Sequence, residues 1–295
     1  MTGDITAGID DAKVASWFSS HVPASVPPLE YELIAGGHSN LTYKVVDRRG
    51  NNFVLRRPPL GHVLATAHDM AREHRIVSAV GTTQVPVPPT LGVCEDSEIN
   101  GAPFYVMGYV DGEVLHSDAE AETLGESDRM TLSRRVAEVL AELHSIEPDD
   151  IGLGDLGKRE DYLGRQLRRW SRQWDQSKTR ELPTMEHVQG LLEAQKPTQV
   201  GSTIVHGDYR LGNMLTRFGE ILAVLDWELC TLGDPLADVG YLMNNWVDPD
   251  EAPAGSSAPT LAGGFASRDE LLMWYANASG RDVSDVAYYL SLIHI

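Results

Sequence analysis

The sequence predicts an α+β fold in two parts, a small antiparallel sheet with a helix followed by a larger, mainly helical part. Between residues 29 and 57 apolar side chains alternate with a period of two, which is typical of half-buried strands. From about residue 116 they recur at spacings of three and four, which is typical of helices. With 295 residues the chain can hold both parts, which we place at residues 1–110 and 111–295.

The N-terminal part contains most of the predicted strands. An amphipathic helix over residues 8–21 comes first. The stretch "LEYELIAGGHSNLTYKVVDRRGNNFVLRRPP", which starts at Leu29, predicts three strands joined by the turns AGGHSN and RRGNN. A helix is predicted over residues 66–80. Two further strands, in "PVPPTLGVCED" and "APFYVMGYVDG", are predicted to meet at a turn formed by Asn100 and Gly101.

The C-terminal part is predicted to be mainly helical. Helical spacing is found in "RMTLSRRVAEVLAELHSI", "KREDYLGRQLRRWSRQWDQS" and "PTMEHVQGLLEAQ". "ILAVLDW" predicts a buried strand that ends at Asp226, and "DPLADVGYLMNNW" predicts a helix with Asp234 as its N-cap. Residues 248–264 are predicted to form a surface loop. The chain stops at "VAYYLSLIHI", inside a helical pattern, and we expect a truncated C-terminus.

Composition restricts the partners and the compartment. A net charge of -19 repels phosphate backbones, so we expect no nucleic-acid partner; the acidity favours solubility or a cationic substrate. No apolar run approaches the roughly 18 residues that a membrane span needs, so we expect no membrane association. The acidic N-terminus does not resemble a signal peptide. Cys94 and Cys230 have neither metal-ligand nor disulfide spacing, which favours buried thiols in a cytoplasmic protein.

The stretch "IVHGDYRLGNML", residues 204–215, carries the clearest chemical signal. Its residue types suit phosphoryl transfer, in which a carboxylate accepts a proton and oxygen ligands hold Mg²⁺. Asp208 is the candidate base, and Asn213 is a candidate metal ligand. Asp226, after the next apolar run, is the second metal candidate. Each residue alone has a simpler explanation, because Gly, Asp and Asn are common in turns and Asp often caps a following element.

The N-terminal part offers candidates for holding phosphates. Gly36 and Gly37 can let the backbone approach a phosphate, although a Gly-Gly hairpin is usually only a hairpin. Alternation places Val54 and Arg56 on one face of their strand. Arg56 is a candidate phosphate ligand or an ordinary surface cation. Glu73, in the following helix, is its candidate partner, although a solvated helix face would explain this glutamate equally well.

The combination of "VHGDYRLGNML" with "VLDWELCTLGDPLADVGYL" resembles the catalytic-loop and metal-binding motifs of the aminoglycoside phosphotransferase family. The resemblance covers essentially the whole chain and implies a bilobal, protein-kinase-like fold with a small N-lobe and a larger C-lobe. It implies ATP or GTP as phosphoryl donor, Mg²⁺, Asp208 as catalytic residue, and Asn213 and Asp226 as metal ligands. Arg56 stands where the family often has Lys. The implied nucleotide-binding residues are Gly36, Gly37, Ser39, Asn40, Val54, Arg56, Glu73, Met107, Tyr109 and Val110.

Within that family the chain resembles kinase domains linked to acyl-CoA dehydrogenases. This similarity implies a hydroxylated acyl-CoA as acceptor and an acyl-CoA dehydrogenase as pathway neighbour. Alternative functions are a kinase for aminoglycosides or another small alcohol, and a nucleotide-binding pseudokinase without turnover. A metal-dependent hydrolase would use the same acids, but the sequence lacks the His clusters that are usual in such sites.

Overall fold

The computed structural model describes residues 7–23, 25–35, 40–60, 69–251 and 257–293. The chain divides into two compact units. The first comprises residues 1–83 and 87–111, and the second comprises residues 84–86 and 112–295.

The described residues of the first unit form an antiparallel sheet and three helices. Its strands are β1 (Leu29–Ala35), β2 (Leu41–Asp47), β3 (Asn52–Arg57), β4 (Thr90–Cys94) and β5 (Phe104–Gly108). They form a five-stranded sheet in the order β1-β2-β3-β5-β4, with antiparallel neighbours throughout. Its helices are α1 (Asp11–His21), α2 (Met70–Val80) and α3 (Ser97–Asn100). The five predicted strands are thereby confirmed.

Strand β3 shows how the alternating pattern builds the core of this unit. Phe53 and Leu55 belong to a buried cluster that includes Phe18 of α1. Val54 belongs to a separate cluster that includes Met70 of α2. Because successive side chains of a strand point to opposite faces, each face of β3 packs against its own helix. The predicted division of β3 into two faces is therefore confirmed.

The second unit is mainly helical. Its helices are α4 (Asp118–Ala121), α5 (Glu126–Ser145), α6 (Tyr162–Ser177), α7 (Pro183–Ala194), α8 (Leu236–Asn245), α9 (Arg268–Ser279) and α10 (Val286–Ile293). The described residues of this unit also form two short antiparallel strand pairs. They are β6 (Thr203–Val205) with β9 (Thr231–Gly233), and β7 (Met214–Arg217) with β8 (Glu220–Val224). Helix α5 packs against α9, β6 and β8. The apolar residues at helical spacing in α5 are fully buried, namely Val136, Val139, Leu140 and Leu143.

Two predicted element ends are wrong. The strand expected to reach Asp226 ends at Val224, because Leu225 N–H donates to the Asn213 carbonyl at 2.8 Å and Asp226 adopts a positive φ of 66°. Helix α8 has Pro235 as its N-cap, not Asp234. Asp234, one residue before this N-cap, nevertheless accepts a hydrogen bond from Leu236 N–H at 3.0 Å. It therefore satisfies one of the free backbone donors in the first turn of α8.

Three other predicted segments differ in detail. The described part of the predicted helix 66–80 begins at Met70 with Asp69 as N-cap, and residues 66–68 lie outside the described residues. The connection between β4 and β5 contains the short helix α3 as well as the predicted turn at Gly101, whose φ is 71°. In the predicted loop 248–264, Pro259–Ala262 forms a 3₁₀ turn, and residues 252–256 are not described.

Two further expectations can be compared with the described residues. Cys94 and Cys230 are both buried free thiols, as predicted. Among the described helices, none is both long enough and apolar enough to cross a bilayer.

Candidate active site

The loop that carries Asp208 begins directly after β6 and contains a glycine that no other residue could replace without strain. Gly207 has a φ of 88°. A Cβ atom at this position would lie 2.9 Å from the Leu229 Cβ and 3.1 Å from the Leu229 carbonyl oxygen. Positive φ and close backbone packing together explain a glycine immediately before Asp208.

Asp208 and Asn213 are in direct contact. The Asn213 side-chain nitrogen donates to the Asp208 carbonyl at 2.9 Å and to the Asp208 carboxylate at 2.7 Å. Both amide hydrogens are thereby directed at Asp208, and the planar amide directs its oxygen to the other side. The second carboxylate oxygen of Asp208 accepts from Arg210 Nε at 3.1 Å.

Asp226 belongs to a segment that is tied to the same loop. The Leu225 amide donates to the Asn213 carbonyl, and the Leu225 carbonyl accepts from His206 Nε2 at 2.9 Å. These two bonds fix the backbone immediately before Asp226. The positive φ of Asp226 is uncommon for a residue with a Cβ, and such conformations cluster at functional sites.

The donor set of these residues fits Mg²⁺. Mg²⁺ prefers hard oxygen ligands and usually combines one or two carboxylates with phosphate and water. Asn213 offers an amide oxygen turned away from Asp208, and Asp226 offers a carboxylate on the adjoining segment. The residues that the structure describes contain no group of three or more His, Cys, Asp or Glu side chains placed to hold a metal ion.

Asp238, on α8, holds the backbone of the loop. Its carboxylate accepts from His206 N–H at 2.7 Å and from Gly207 N–H at 2.8 Å. It also accepts from His144 Nε2 at 3.2 Å, and both side chains are fully buried. The other ring nitrogen of His144 pairs with the Tyr275 hydroxyl at 2.8 Å. Asp238 therefore braces the backbone of the loop through three hydrogen bonds.

Both ring nitrogens of His206 form hydrogen bonds with backbone groups. Its Nδ1 accepts from Asp208 N–H at 3.2 Å, and its Nε2–H donates to the Leu225 carbonyl. Burial lowers the pKa of this imidazole, which favours the neutral form that these two bonds require. His206 thus positions the backbone of Asp208 and of the segment before Asp226.

In the first unit, Glu73 of α2 links several of the predicted nucleotide-binding residues. It is 2% exposed, and its carboxylate lies 3.0 Å from Arg56 Nε and accepts from the Tyr105 hydroxyl at 3.0 Å. Asn40 Nδ2 lies 3.5 Å from its other oxygen. The alternative interpretations of Arg56 as a surface cation and of Glu73 as part of a solvated face are therefore wrong.

The remaining predicted nucleotide-binding residues divide into two groups. Val54 and Met107 are paired across β3 and β5 in one buried cluster, and Tyr109 packs against that cluster. Val110 lies two residues after Gly108, the last residue of β5. Gly36, Gly37 and Ser39 lie outside the described residues.

Sequence reasoning missed three side chains of the second unit. Arg210 is part of the quoted motif, and its position two residues after Asp208 could have indicated the contact. Burial, and next the nearby Asp208 carboxylate, raise the pKa of the Tyr241 hydroxyl on α8 to about 12. His144 and Tyr241 come from helices whose relative packing the sequence does not specify, so no local signal pointed to them.

Comparison with known proteins identifies the family. The model of the phosphotransferase enzyme family known as APH matches residues 30–271. The chain belongs to this phosphotransferase family. A crystal structure from Ralstonia eutropha JMP134, provisionally named an aminoglycoside phosphotransferase, is 32% identical with a TM-score of 0.79, and the match covers 96% of this chain and 86% of that one.

More distant phosphotransferases share the fold. The macrolide 2'-phosphotransferase MphH from Brachybacterium faecium has a TM-score of 0.65 at 19% identity, covering 96% of this chain and 88% of that one. The streptomycin–ATP ternary complex of APH(2")-IIa has a TM-score of 0.62 at 16% identity, covering 98% and 88%. These matches confirm the predicted α+β, protein-kinase-like fold.

The curated relatives that this chain matches are longer proteins. Mouse acyl-CoA dehydrogenase family member 10 is 40% identical over 233 residues, which are 78% of this chain and 21% of that protein. Chicken acyl-CoA dehydrogenase family member 11 is 36% identical over 210 residues, which are 70% and 27%. The chain thus spans about a quarter of the length of these relatives.

Proposed function

We propose that this phosphotransferase transfers the γ-phosphoryl group of ATP, or of GTP, to a hydroxyl group of a small molecule with the help of Mg²⁺. The observation that supports this most directly is the contact between Asp208 and Asn213 on a loop that is hydrogen-bonded to the segment before Asp226. Phosphoryl transfer needs a proton-accepting carboxylate and oxygen ligands for Mg²⁺, and this arrangement supports assigning those roles here.

Asp208 is the proposed proton acceptor. The acceptor oxygen attacks the γ-phosphorus and forms a new P–O bond while the bond from that phosphorus to the bridging oxygen breaks. The bond electrons leave with the nucleoside diphosphate, and the hydroxyl proton passes to the Asp208 carboxylate. Asn213 and Arg210, which donate to that carboxylate, orient it before the transfer.

Candidate ligands for the nucleotide and its metal ion are found within each unit. Asn213 and Asp226 would hold Mg²⁺, which neutralises charge on the phosphates when it is bound. Arg56 would bind phosphate oxygens, and its fork of donors suits that task. The Glu73 carboxylate fixes the Arg56 side chain at 3.0 Å and limits the directions in which the guanidinium can point. The cluster with Val54, Met107 and Tyr109 would contact the purine ring of the nucleotide.

The names of the longer relatives suggest an acceptor. Those proteins are called acyl-CoA dehydrogenase family members, and the chain aligns with only part of each. A hydroxylated acyl-CoA is therefore the proposed acceptor, with an acyl-CoA dehydrogenase as the enzyme that acts in the same pathway.

A phosphotransfer assay on a panel of acceptors tests this function. The protein is incubated with Mg²⁺ and ATP or GTP and with hydroxyacyl-CoAs, aminoglycosides, choline or homoserine, and phosphorylated products are detected by ³¹P NMR. We expect a phosphate monoester from a hydroxyacyl-CoA. A product from an aminoglycoside alone would indicate the alternative small-alcohol kinase, and bound nucleotide without any product would indicate a pseudokinase.

A further inference from the structure

Helix α6 carries a row of arginine side chains that the proposed reaction does not use. Arg165, Arg168 and Arg172 follow one another at spacings of three and four residues, so their side chains lie on one face of the helix. They help to line a concave site of about 630 Å³ formed by α6 and α7. The other lining residues are Leu167, Ser171 and Glu193. We call this concavity and its three arginines the α6 arginine site.

The charge of the α6 arginine site is opposite to that of the chain as a whole. Its lining contains three arginines and one glutamate, which gives a net charge of +2. The chain has a net charge of -19. Because so acidic a molecule repels anions over most of its surface, a concave region of positive charge is a local exception that attracts them.

Two of the arginines are held by backbone carbonyls and not by acids. Arg165 Nη2 donates to the Lys158 carbonyl at 2.6 Å, and its guanidinium lies 5.9 Å from the centre of the Tyr162 ring. Arg172 Nε donates to the Arg168 carbonyl at 3.2 Å. Among the residues that the structure describes, neither of these two guanidinium groups forms an ion pair. Their positive charge is therefore available to a ligand.

The same arginines retain N–H donors for a ligand. Arg165 Nη1 is buried and makes no hydrogen bond within the described ranges of the chain. Because buried donors in folded proteins nearly always have a partner, this atom points to an acceptor oxygen on a ligand. Arg168 Nη2 donates to the Asp161 carboxylate at 2.7 Å, and this side chain is 59% exposed. A guanidinium has five N–H donors, so Arg168 can bind a second acceptor as well.

Shape and spacing restrict the ligand. The volume lies within the range of about 300–1,000 Å³ that is typical of small-ligand sites, so the concavity suits a small molecule. At the helical rise, Arg165 and Arg172 are about 10 Å apart along the axis, and a single phosphate group is too small to contact both. The planar fork of arginine donors matches the oxygens of phosphate groups. A ligand with more than one phosphate group fits the row best.

We propose that the α6 arginine site binds a small ligand that carries two or more phosphate groups, whose oxygens accept from Arg165, Arg168 and Arg172. The Glu193 carboxylate lies in the same lining and opposes an anion, so it limits the affinity. An inorganic oligophosphate and a nucleoside bisphosphate both have the required chemistry. The site does not depend on the proposed function, because none of its residues has a role in the proposed transfer.

Calorimetric titration without Mg²⁺ and without acceptor measures this binding directly. Orthophosphate, tripolyphosphate and adenosine 3′,5′-bisphosphate are each titrated into the wild-type protein at low ionic strength. We expect tripolyphosphate to bind at least about tenfold more tightly than orthophosphate, because it can contact more than one arginine. Tighter binding of the bisphosphate than of tripolyphosphate would identify a nucleoside ligand, and the reverse order would identify an inorganic one. Equal affinities for orthophosphate and tripolyphosphate would overturn the proposal.

A matched pair of variants on α6 locates the binding. Arg172→Gln removes one arginine of the site, and Arg169→Gln removes the same charge from an exposed position outside the lining. We expect Arg172→Gln to weaken tripolyphosphate by about tenfold and Arg169→Gln by less than about twofold. Equal weakening by the two variants would show a nonspecific effect of charge and would overturn the proposal. Unchanged affinity in Arg172→Gln would do the same, because tripolyphosphate would then be bound elsewhere.

A gain of affinity provides a second test that loss of folding cannot imitate. Glu193→Gln removes the carboxylate from the lining, so tripolyphosphate should bind about two- to fivefold more tightly. Weaker binding in this variant would contradict the assigned site. Thermal unfolding checks that Arg172→Gln, at an exposed position, has the Tm of the wild type. Since no turnover is measured, these titrations remain valid even if no acceptor is phosphorylated and the proposed function fails.

Discussion

Asp238 provides a quantitative test of how the second unit holds the loop that carries Asp208. We consider the substitution Asp238→Asn, which keeps the size of the side chain but replaces one acceptor oxygen by an NH₂ group. The native carboxylate accepts from His206 N–H, Gly207 N–H and His144 Nε2. If the asparagine oxygen keeps the His206 bond, its nitrogen faces the Gly207 amide, donor against donor.

The size of the effect follows from these contacts. The lost bond to a charged acceptor costs about 1.5–3 kcal/mol, and the bonds that remain lose about 1 kcal/mol each with the charge. Relief from burying a carboxylate offsets part of this loss. We therefore expect the free energy of unfolding to fall by about 2–4 kcal/mol, and kcat to fall by about 10–100-fold because the loop moves.

Urea denaturation followed by tryptophan fluorescence measures the stability of Asp238→Asn. The signal reports mainly on the second unit, because Trp17 is the only tryptophan in the first. The matched control is Asp250→Asn at an exposed position, for which we expect a change below about 1 kcal/mol. A loss of less than about 0.5 kcal/mol in Asp238→Asn would refute the assigned role.

Three further predictions concern other contacts. Glu73→Ala leaves Arg56 without its carboxylate, so we expect a loss of about 3 kcal/mol in urea unfolding; a loss confined to the KM for ATP would contradict this. His206 has a lowered pKa in the folded state, so its contribution to stability is present above an unfolded-state pKa near 6.5 and decreases as the pH falls below that value. Urea midpoints between pH 7.5 and 5.5 should therefore decline more steeply in the wild type than in His206→Gln, and equal slopes would contradict the assignment. Gly207→Ala should lower the free energy of unfolding by about 2–3 kcal/mol, because the residue has a positive φ and an added Cβ would contact Leu229. The control Gly280→Ala also has a positive φ, 66°, but open space around the added Cβ, so it should lower the same free energy by about 1 kcal/mol. Equal losses in thermal unfolding would show that the contact with Leu229 does not matter.

Local patterns in the sequence predicted much of the fold, and they singled out two residues of the candidate site that are in contact. The alternation in β3 predicted the two faces of the strand, because strand geometry assigns successive side chains to opposite sides. The spacing of Asp208 and Asn213 predicted two residues of one turn, and the structure places them in contact. In both cases the information lies within a few neighbouring residues of the chain.

Features that depend on tertiary contacts could not be predicted in the same way. The strand before Asp226 ends early because Leu225 bonds to the Asn213 carbonyl, a partner in another segment. Tyr241 reaches Asp208 from α8, and His144 reaches Asp238 from α5. Which face of a helix meets which loop depends on the packing of the whole unit, and the periodicity of a single helix does not specify it.

The rate of phosphoryl transfer by Asp208→Asn tests the central claim most directly. Wild type and variant are saturated with Mg²⁺ and ATP, nucleotide occupancy is checked by calorimetry, and product formation is followed in a single turnover with the acceptor identified in the panel. We predict unchanged nucleotide binding and a transfer rate lower by about 10²–10⁴-fold, since a positioned proton acceptor contributes that much. A transfer rate equal to that of the wild type would contradict the assignment of Asp208 as the proton acceptor.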